Sequence, residues 1–599
     1  MINKTFRYDI ALLRAIAVLS VVFYHLKFPF FSSGFIGVDI FFVISGYLMT
    51  KIIISGIYKD SFDLIDFYKK RLVRIFPALL VMITIFSVIL YAFLPIKLPN
   101  FFSNALPSTL FYSNIYYYWN SGYFENSSQE NFLLHTWSLS VEWQFYMLFP
   151  IILILFKKIG FRNYKVLLGL ITITSFFCMY YYFLNDRSFS FYMLPSRAWE
   201  MSLGGFGFLY EKQIREIPIK IRKVIVLCLY SVLLLVLFKI IDINGNSWPN
   251  KLTVIPAIAT LGIILCQVDF NFFRSKSIKF IGDISYSWYL WHWPIYVFAA
   301  YLLPNYGLPY KIMLLILTFI FAVVSYYLVE RNNFFLKPKI ILAYTACLAI
   351  FTLFFSTTYK FDNKIEFYRT YKKDVLPNQF NINHQSSKSE LIIDTNTINN
   401  IIQESQSILV LGDSHTGMFS NFLIKEGKAK GLNIVQISAD ATFPYPNAKS
   451  NFKYPERLMN WVFSSFIPNN KSKIDKVIIS ANYYGYSNQD LLDKLKSMDK
   501  YFKSLNLEFI LIGQTPVYKF DYPVISSLSK YGLADIQFLE PRSIEVNELI
   551  KSYNYPYIDI LNMPISKNDN THSYIYDRDH LSLYGAEQYS RYISEQVFN

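Results

Sequence analysis

Cysteine is scarce and badly placed for a structural role. The four present, Cys178, Cys228, Cys266 and Cys347, all fall inside apolar runs, and none lies in the last 250 or so residues. That excludes a disulfide framework and a cysteine-based zinc cluster, and it leaves the C-terminal part to fold without covalent cross-links. A second absence concerns the first apolar run, Ile10 to Phe28. It follows Lys4 and Arg7 in the manner of a signal peptide, but no small-residue cleavage site ends it and further runs follow. It is expected to be retained as a membrane span. A third absence is basic charge in alternate loops. The long stretch from about 96 to 136 has only Lys97.

What is present is apolar length. Hydrophobic residues make up 53% of the chain, in runs too long for a soluble protein. A helix needs about 20 residues to cross a hydrocarbon core. Eleven candidate spans lie near 8–28, 35–55, 75–95, 137–156, 166–184, 191–210, 224–242, 252–268, 281–302, 310–330 and 338–358. The loops that are not depleted in basic residues carry clusters: Lys69, Lys70, Arg71 and Arg74; Lys157 and Lys158; Lys220, Arg222 and Lys223; Arg274 and Lys276; Lys337 and Lys339. Positive loops remain in the cytoplasm. The N-terminus is therefore expected inside, and eleven spans put everything after about 358 outside. The net charge of +15 follows from this topology, so it is not read as a nucleic-acid-binding surface.

Residues 359–405 are polar and lack periodicity, as a linker would. From about 406 short β-rich runs alternate with amphipathic stretches: Ser407–Leu411, Asn433–Ser438, Lys476–Ala481, Glu508–Gly513 and Tyr557–Ile560, then a helix near Leu583–Val597. This is the pattern of parallel βαβ units.

Two short motifs carry chemistry in this last region. Val410-Leu411-Gly412-Asp413-Ser414-His415 ends a strand and opens a helix, which puts the Ser414 hydroxyl at the carboxyl end of the sheet. The first N–H groups of that helix suit an oxyanion. Far downstream, Asp577-Arg578-Asp579-His580 can supply a base and the carboxylate that orients it. A turn with a helix cap and a surface loop are the bland alternatives. In the first span, Arg14 and His25 lie about 16 Å apart at 1.5 Å per residue. Ionisable groups inside a span are costly and mark functional sites, unless both merely sit at the two interfaces.

The two motifs near the C-terminus resemble the SGNH hydrolase and acyltransferase superfamily. The resemblance implies Ser414 as nucleophile, His580 as base and Asp577 as its partner, with Asp579 the competing carboxylate. Asn482, after the strand Val477–Ser480, is the weaker match to the family's oxyanion asparagine. The family's glycine block is not recognisable in Ser438-Ala439-Asp440-Ala441.

The membrane part resembles the type 3 membrane acyltransferases through four ordered motifs. They are Arg14-x10-His25 with Gly37-Val38-Asp39-Ile40-Phe41-Phe42-Val43-Ile44-Ser45-Gly46-Tyr47; Lys70-Arg71-Leu72-Val73-Arg74-Ile75-Phe76-Pro77; His135-Thr136-Trp137-Ser138-Leu139-Ser140-Val141-Glu142-Trp143-Gln144-Phe145-Tyr146; and Ile284-Ser285-Tyr286-Ser287-Trp288-Tyr289-Leu290-Trp291-His292-Trp293-Pro294. The resemblance implies acetyl-CoA as acyl donor, with Arg14, Arg71 and Arg74 at the donor end, where planar guanidinium forks suit phosphate. It implies His25 as a base or acyl carrier. Glu142 is expected to orient His25 or to contact the acceptor, and Asp39 is a weaker candidate of the same kind. His292, flanked by Trp291 and Trp293, reads as an interfacial anchor.

Together these readings describe a polytopic α-helical membrane domain, about ten helices plus one linking span, followed by a soluble α/β SGNH domain with a flavodoxin-like parallel sheet. The boundaries are 1–335, 336–405 and 406–599. The expected function is O-acetyl transfer across a bacterial inner membrane to an envelope glycan, with lipopolysaccharide O-antigen or lipooligosaccharide first among acceptors. Partners are membrane lipid and glycan, with no metal and no nucleic acid. Peptidoglycan O-acetylation, an esterase with export function, and non-enzymatic glycan binding are the competing readings.

Overall fold

The computed structural model describes residues 6–120, 129–158, 163–243, 248–303, 307–358, 384–386, 398–399, 402, 407–553, 555–563 and 573–598. The chain divides into two compact units, Met1–Tyr359 and Lys360–Asn599, and each is described by itself.

All eleven expected spans are helical. Among the described residues, seven helical segments are long and apolar enough to cross a membrane: Tyr8–His25, Gly34–Tyr58, Leu64–Phe93, Thr136–Lys158, Tyr164–Asn185, Leu308–Glu330 and Pro338–Ser356. The other four expected positions hold Leu194–Phe208, Ile219–Leu237, Val254–Cys266 and Lys276–Leu302. The 96–136 loop is not extended chain, because it contains the helices Leu98–Thr109 and Ser113–Asn120. With few hydrophobic forces between helices in lipid, close packing depends on small residues. Gly46 and Gly204 serve this purpose between Gly37–Tyr58 and Leu194–Phe208. A side-chain carbon on Gly46 would overlap the Met201 carbonyl, and one on Gly204 would overlap that of Val43.

Among the described residues, the second unit is built on a six-stranded, all-parallel sheet in the order β1-β3-β2-β4-β5-β6. The strands are β1 His384–Gln385, β2 Ser407–Gly412, β3 Asn433–Ala439, β4 Ile474–Ser480, β5 Glu508–Ile512 and β6 Tyr557–Ile558. Both faces of such a sheet are covered, so its central strands read as continuous apolar runs. Every residue of β2 is buried. The chain leaves β2 for β3 on one side, then crosses to β4 on the other. That reversal opens a crevice at the carboxyl ends of β2 and β4, the expected position for a site.

β1 was not expected. It lies inside the 359–405 segment read as linker, pairs with Ser438 and Ala439 of β3, and moves the start of the α/β domain upstream of 406. The rest of that segment, apart from residues 386, 398–399 and 402, lies outside the described residues.

Candidate active site

Asp413 builds the crevice. It caps the helix Ser414–Ala429 by accepting the His415 N–H through Oδ1 at 2.9 Å, and it accepts the Asn482 N–H through Oδ2 at 2.8 Å. One carboxylate thus ties the turn after β2 to the turn after β4. Burial pushes its acidity down, so its pKa rises.

Ser414 stands at the start of that helix. His580 Nε2 lies 3.0 Å from its Oγ, and His580 Nδ1 lies 2.9 Å from Asp577 Oδ2. Asp577 also accepts the backbone N–H groups of Asp579 at 3.0 Å and His580 at 2.7 Å through Oδ1. The Asp-x-x-His loop therefore folds around the same carboxylate that faces the imidazole. The three residues singled out by their motifs are brought together in the order hydroxyl, imidazole, carboxylate.

Asp579 also belongs to this group. Its Oδ1 is 3.1 Å from His580 Nδ1, and its Oδ2 accepts from Asn482 Nδ2 at 3.1 Å and lies 3.4 Å from His415 Nε2. Burial works against the charge of Asp579, but the two histidines hold its carboxyl well below the usual range. Burial likewise opposes protonation of His580, yet the carboxylates of Asp577 and Asp579 hold its imidazole well above the ordinary value. The Asn482 amide thus has one of its two hydrogens committed to Asp579. In the segment where a glycine block was expected, Ala441 adopts the left-handed φ of 48° that glycine favours. Ser438 there faces His384 rather than the crevice.

Two adjoining cavities lie among the described residues of the helical unit. The larger, of about 140 Å³, is lined by Arg14, Arg71, Arg74, Ser45, Glu142 and Tyr146, among others. Arg14 Nε donates to Ser285 Oγ at 3.2 Å, and Arg71 Nε is buried without a hydrogen-bond partner among the described residues. The smaller, of about 40 Å³, is lined by His25, His135, Trp137 and Trp293. Val38 and Tyr289 line both.

Two expectations about this unit are corrected. Glu142 does not reach His25. It accepts hydrogen bonds from Ser45 and Tyr146 and faces the arginine cavity; a position along a span gives depth, not the direction a side chain faces. His292 is not an interfacial anchor. It is fully buried, and its Nε2 lies 3.0 Å from His25 Nδ1. Asp39 pairs instead with Arg197 at 2.6 Å, with Glu200 close by, and all three are buried. The sequence reading missed His135, Tyr289 and Arg197 as site residues. The first two sit inside quoted motifs, but only the fold shows that both line the same small cavity as His25.

The acyltransferase domain model matches residues 7–330, more than half of the chain. The chain belongs to this acyltransferase family. A second model, the SGNH domain found fused to such domains, matches residues 384–595, so β1 falls within it. Among relatives of this acyltransferase chain, O-acetyltransferase OatA of Staphylococcus aureus (strain NCTC 8325 / PS 47) is 32% identical over 336 residues, covering 53% of this chain and 55% of the relative. Peptidoglycan O-acetyltransferase OatA of Listeria monocytogenes serovar 1/2a is 31% identical over 350 residues, covering 54% and 56%. The match spans only about 55% of the length of these curated relatives. Among solved structures, the periplasmic domain of a Salmonella ser. Paratyphi A lipopolysaccharide acetyltransferase covers 41% of this chain and 99% of its own, at 16% identity and a TM-score of 0.31.

Proposed function

We propose that the protein is an envelope-glycan O-acetyltransferase that takes acetyl from cytoplasmic acetyl-CoA. The observation that carries this reading is the Ser414–His580–Asp577 geometry, joined in one chain to an acyltransferase-family membrane unit. Alone, a serine activated by an oriented imidazole suits a hydrolase as well as a transferase. A membrane unit of the acyltransferase family supplies an acyl donor and favours transfer.

In this reading the arginine cavity receives the phosphates of the donor. Arg14, Arg71 and Arg74 neutralise them, and the acyl end passes Val38 and Tyr289 to reach His25. The alternation of basic loops supports an N-terminus in the cytoplasm and an α/β domain on the far side of the membrane. Ser414 then carries the acyl group as an ester: His580 takes the hydroxyl proton during attack and returns it to the leaving group. The glycan hydroxyl, deprotonated by the same imidazole, releases it. The helix N-terminus at Ser414 and the Asn482 side chain are the candidate oxyanion donors.

For the acceptor, the Gly-Asp-Ser-His motif favours lipopolysaccharide-type glycan, whereas the match to OatA favours peptidoglycan. The test is purified full chain in lipid nanodiscs with acetyl-labelled CoA and each glycan in turn. Label on one glycan supports the transfer and selects the acceptor. Release of acetate from pre-acetylated glycan without CoA, and no label transfer, would overturn it in favour of an esterase.

A further inference from the structure

The environment of His292 fixes which atom of His25 reacts. His292 Nδ1 lies 2.6 Å from the carbonyl oxygen of Tyr289, one turn earlier in the same helix. A carbonyl can only accept. An uncharged His292 therefore keeps its single proton on Nδ1 and presents a lone pair at Nε2. That lone pair lies 3.0 Å from His25 Nδ1, so the His25 proton must reside on Nδ1 and be donated to His292. The remaining nitrogen of His25, Nε2, keeps a free lone pair and has no hydrogen-bond partner among the described residues.

The surroundings suit this assignment. His292 is 0% exposed and His135 is 3% exposed, and neither His25 nor His292 has a carboxylate partner among the described residues. Trp293 meets the His25 ring edge-on at 4.7 Å between centroids, which restricts how the ring can turn. His25 lines the smaller cavity together with His135, whose two buried ring nitrogens reach no partner at hydrogen-bond geometry among the described residues. Buried polar atoms left open in this way are what a bound polar group satisfies.

We propose that His292 is a positioning residue that locks His25 as the Nδ1–H tautomer and makes Nε2 its reacting atom. The proposal rests on the transfer reading for its kinetic consequence, though not for the tautomer itself. When Nε2 takes up a proton, the positive charge on His25 is delocalised over both ring nitrogens. The Nδ1–H bond to His292 then becomes charge-assisted and stronger. His292 remains neutral, still anchored by Tyr289. No proton need move beyond His25, and no carboxylate has to be buried beside it.

The chain has seven histidines, few enough for nitrogen-15 histidine labelling and solid-state NMR of the full chain in lipid. The His25 resonances are assigned by their loss in His25→Asn. The expected result is a proton on Nδ1 of His25 in the natural chain, retained in His292→Gln, whose side-chain oxygen can accept at the same place. In His292→Leu the two tautomers mix. A proton found on Nε2 of His25 in the natural chain overturns the proposal, whatever the enzyme's activity. Kinetics supply the second arm. His292→Leu should lower the turnover of glycan acetylation about 10- to 100-fold with the KM for acetyl-CoA unchanged, and His292→Gln should recover most of it. Equal losses in both variants, or a loss confined to KM, would reduce His292 to a packing residue. A natural chain that shows the Nδ1–H tautomer but transfers no acetyl would refute the transferase reading and leave the tautomer assignment standing.

Discussion

His580 and His25 both have a ring nitrogen held by a partner, while the other meets Ser414 in His580 and no hydrogen-bond partner among the described residues in His25, but the partners that hold them differ in kind. His580 Nδ1 faces the carboxylates of Asp577 and Asp579. His25 Nδ1 faces the neutral ring of His292. The α/β domain can hydrate or hydrogen-bond a carboxylate, as the backbone N–H groups around Asp577 do. Inside the helical unit an ionised partner would need an equally buried counter-charge, at a cost of several kcal/mol per ion. Where that cost is met, as at Arg197 and Asp39, the charges are not spent on the histidine. Two imidazoles are thus oriented by two means, each suited to its surroundings.

The largest effect separates the two sites. Ser414→Ala and His25→Ala should each lower CoA-dependent glycan acetylation by about 10³-fold or more, as expected for the loss of a nucleophile or base acting in a unit. Only Ser414→Ala should also abolish cleavage of a small soluble aryl acetate by the full chain. Equal loss of ester cleavage in His25→Ala would mean that the two histidines do not serve separate steps.

The next effect tests the paired carboxylates. Asp577→Asn should cost ~10²–10⁴-fold in ester cleavage, because an amide beside Nδ1 favours the wrong tautomer. Asp577 also shapes the loop through two backbone N–H groups. Asp579→Asn should cost about 10-fold, since Asp577 still holds the ring. A larger loss in Asp579→Asn would exchange their roles.

The pH dependence sharpens the contrast further. The carboxylates stabilise the imidazolium of His580 and raise its pKa above the ordinary 6.5. The reaction needs the neutral ring, so ester cleavage should rise with pH and reach half its plateau above pH 6.5. Asp579→Asn removes one stabilising charge, and the midpoint should move to lower pH. An unmoved midpoint would show that Asp577 alone sets it.

Much of this was legible because it was local. Asp413-Ser414 and Asp577-x-x-His580 each lie within a few residues, and continuous apolar runs marked both the spans and the central strands. What was not legible depends on long-range facing. His25 and His292 are 267 positions apart, and the tryptophans beside His292 suggested a membrane interface rather than a buried pair. Glu142 was expected beside His25 or the acceptor, and the fold turns it instead toward Ser45, Tyr146 and the arginine cavity. β1 has only two residues, too few for any periodicity, and its polar sequence resembles the linker around it.

The smallest effect concerns a third histidine, which serves as a control. His384 Nδ1 lies 2.7 Å from Ser438 Oγ, and its Nε2 lies 2.8 Å from Asp440 Oδ1. Both ring nitrogens are engaged, so unlike His25 it shows no open lone pair and unlike His580 it faces no nucleophile in the crevice. Its contacts pin β1 to the end of β3. His384→Ala should therefore leave acetyl transfer and ester cleavage within about twofold of the natural chain. It should cost about 1–2 kcal/mol through the lost hydrogen bonds, read as faster hydrogen exchange at Ser438 to Asp440 in the full chain. A large loss of activity with unchanged exchange would make His384 part of the chemistry. It would also break the rule drawn from the other two, that a histidine reacts here through the nitrogen opposite the one its orienting partner holds.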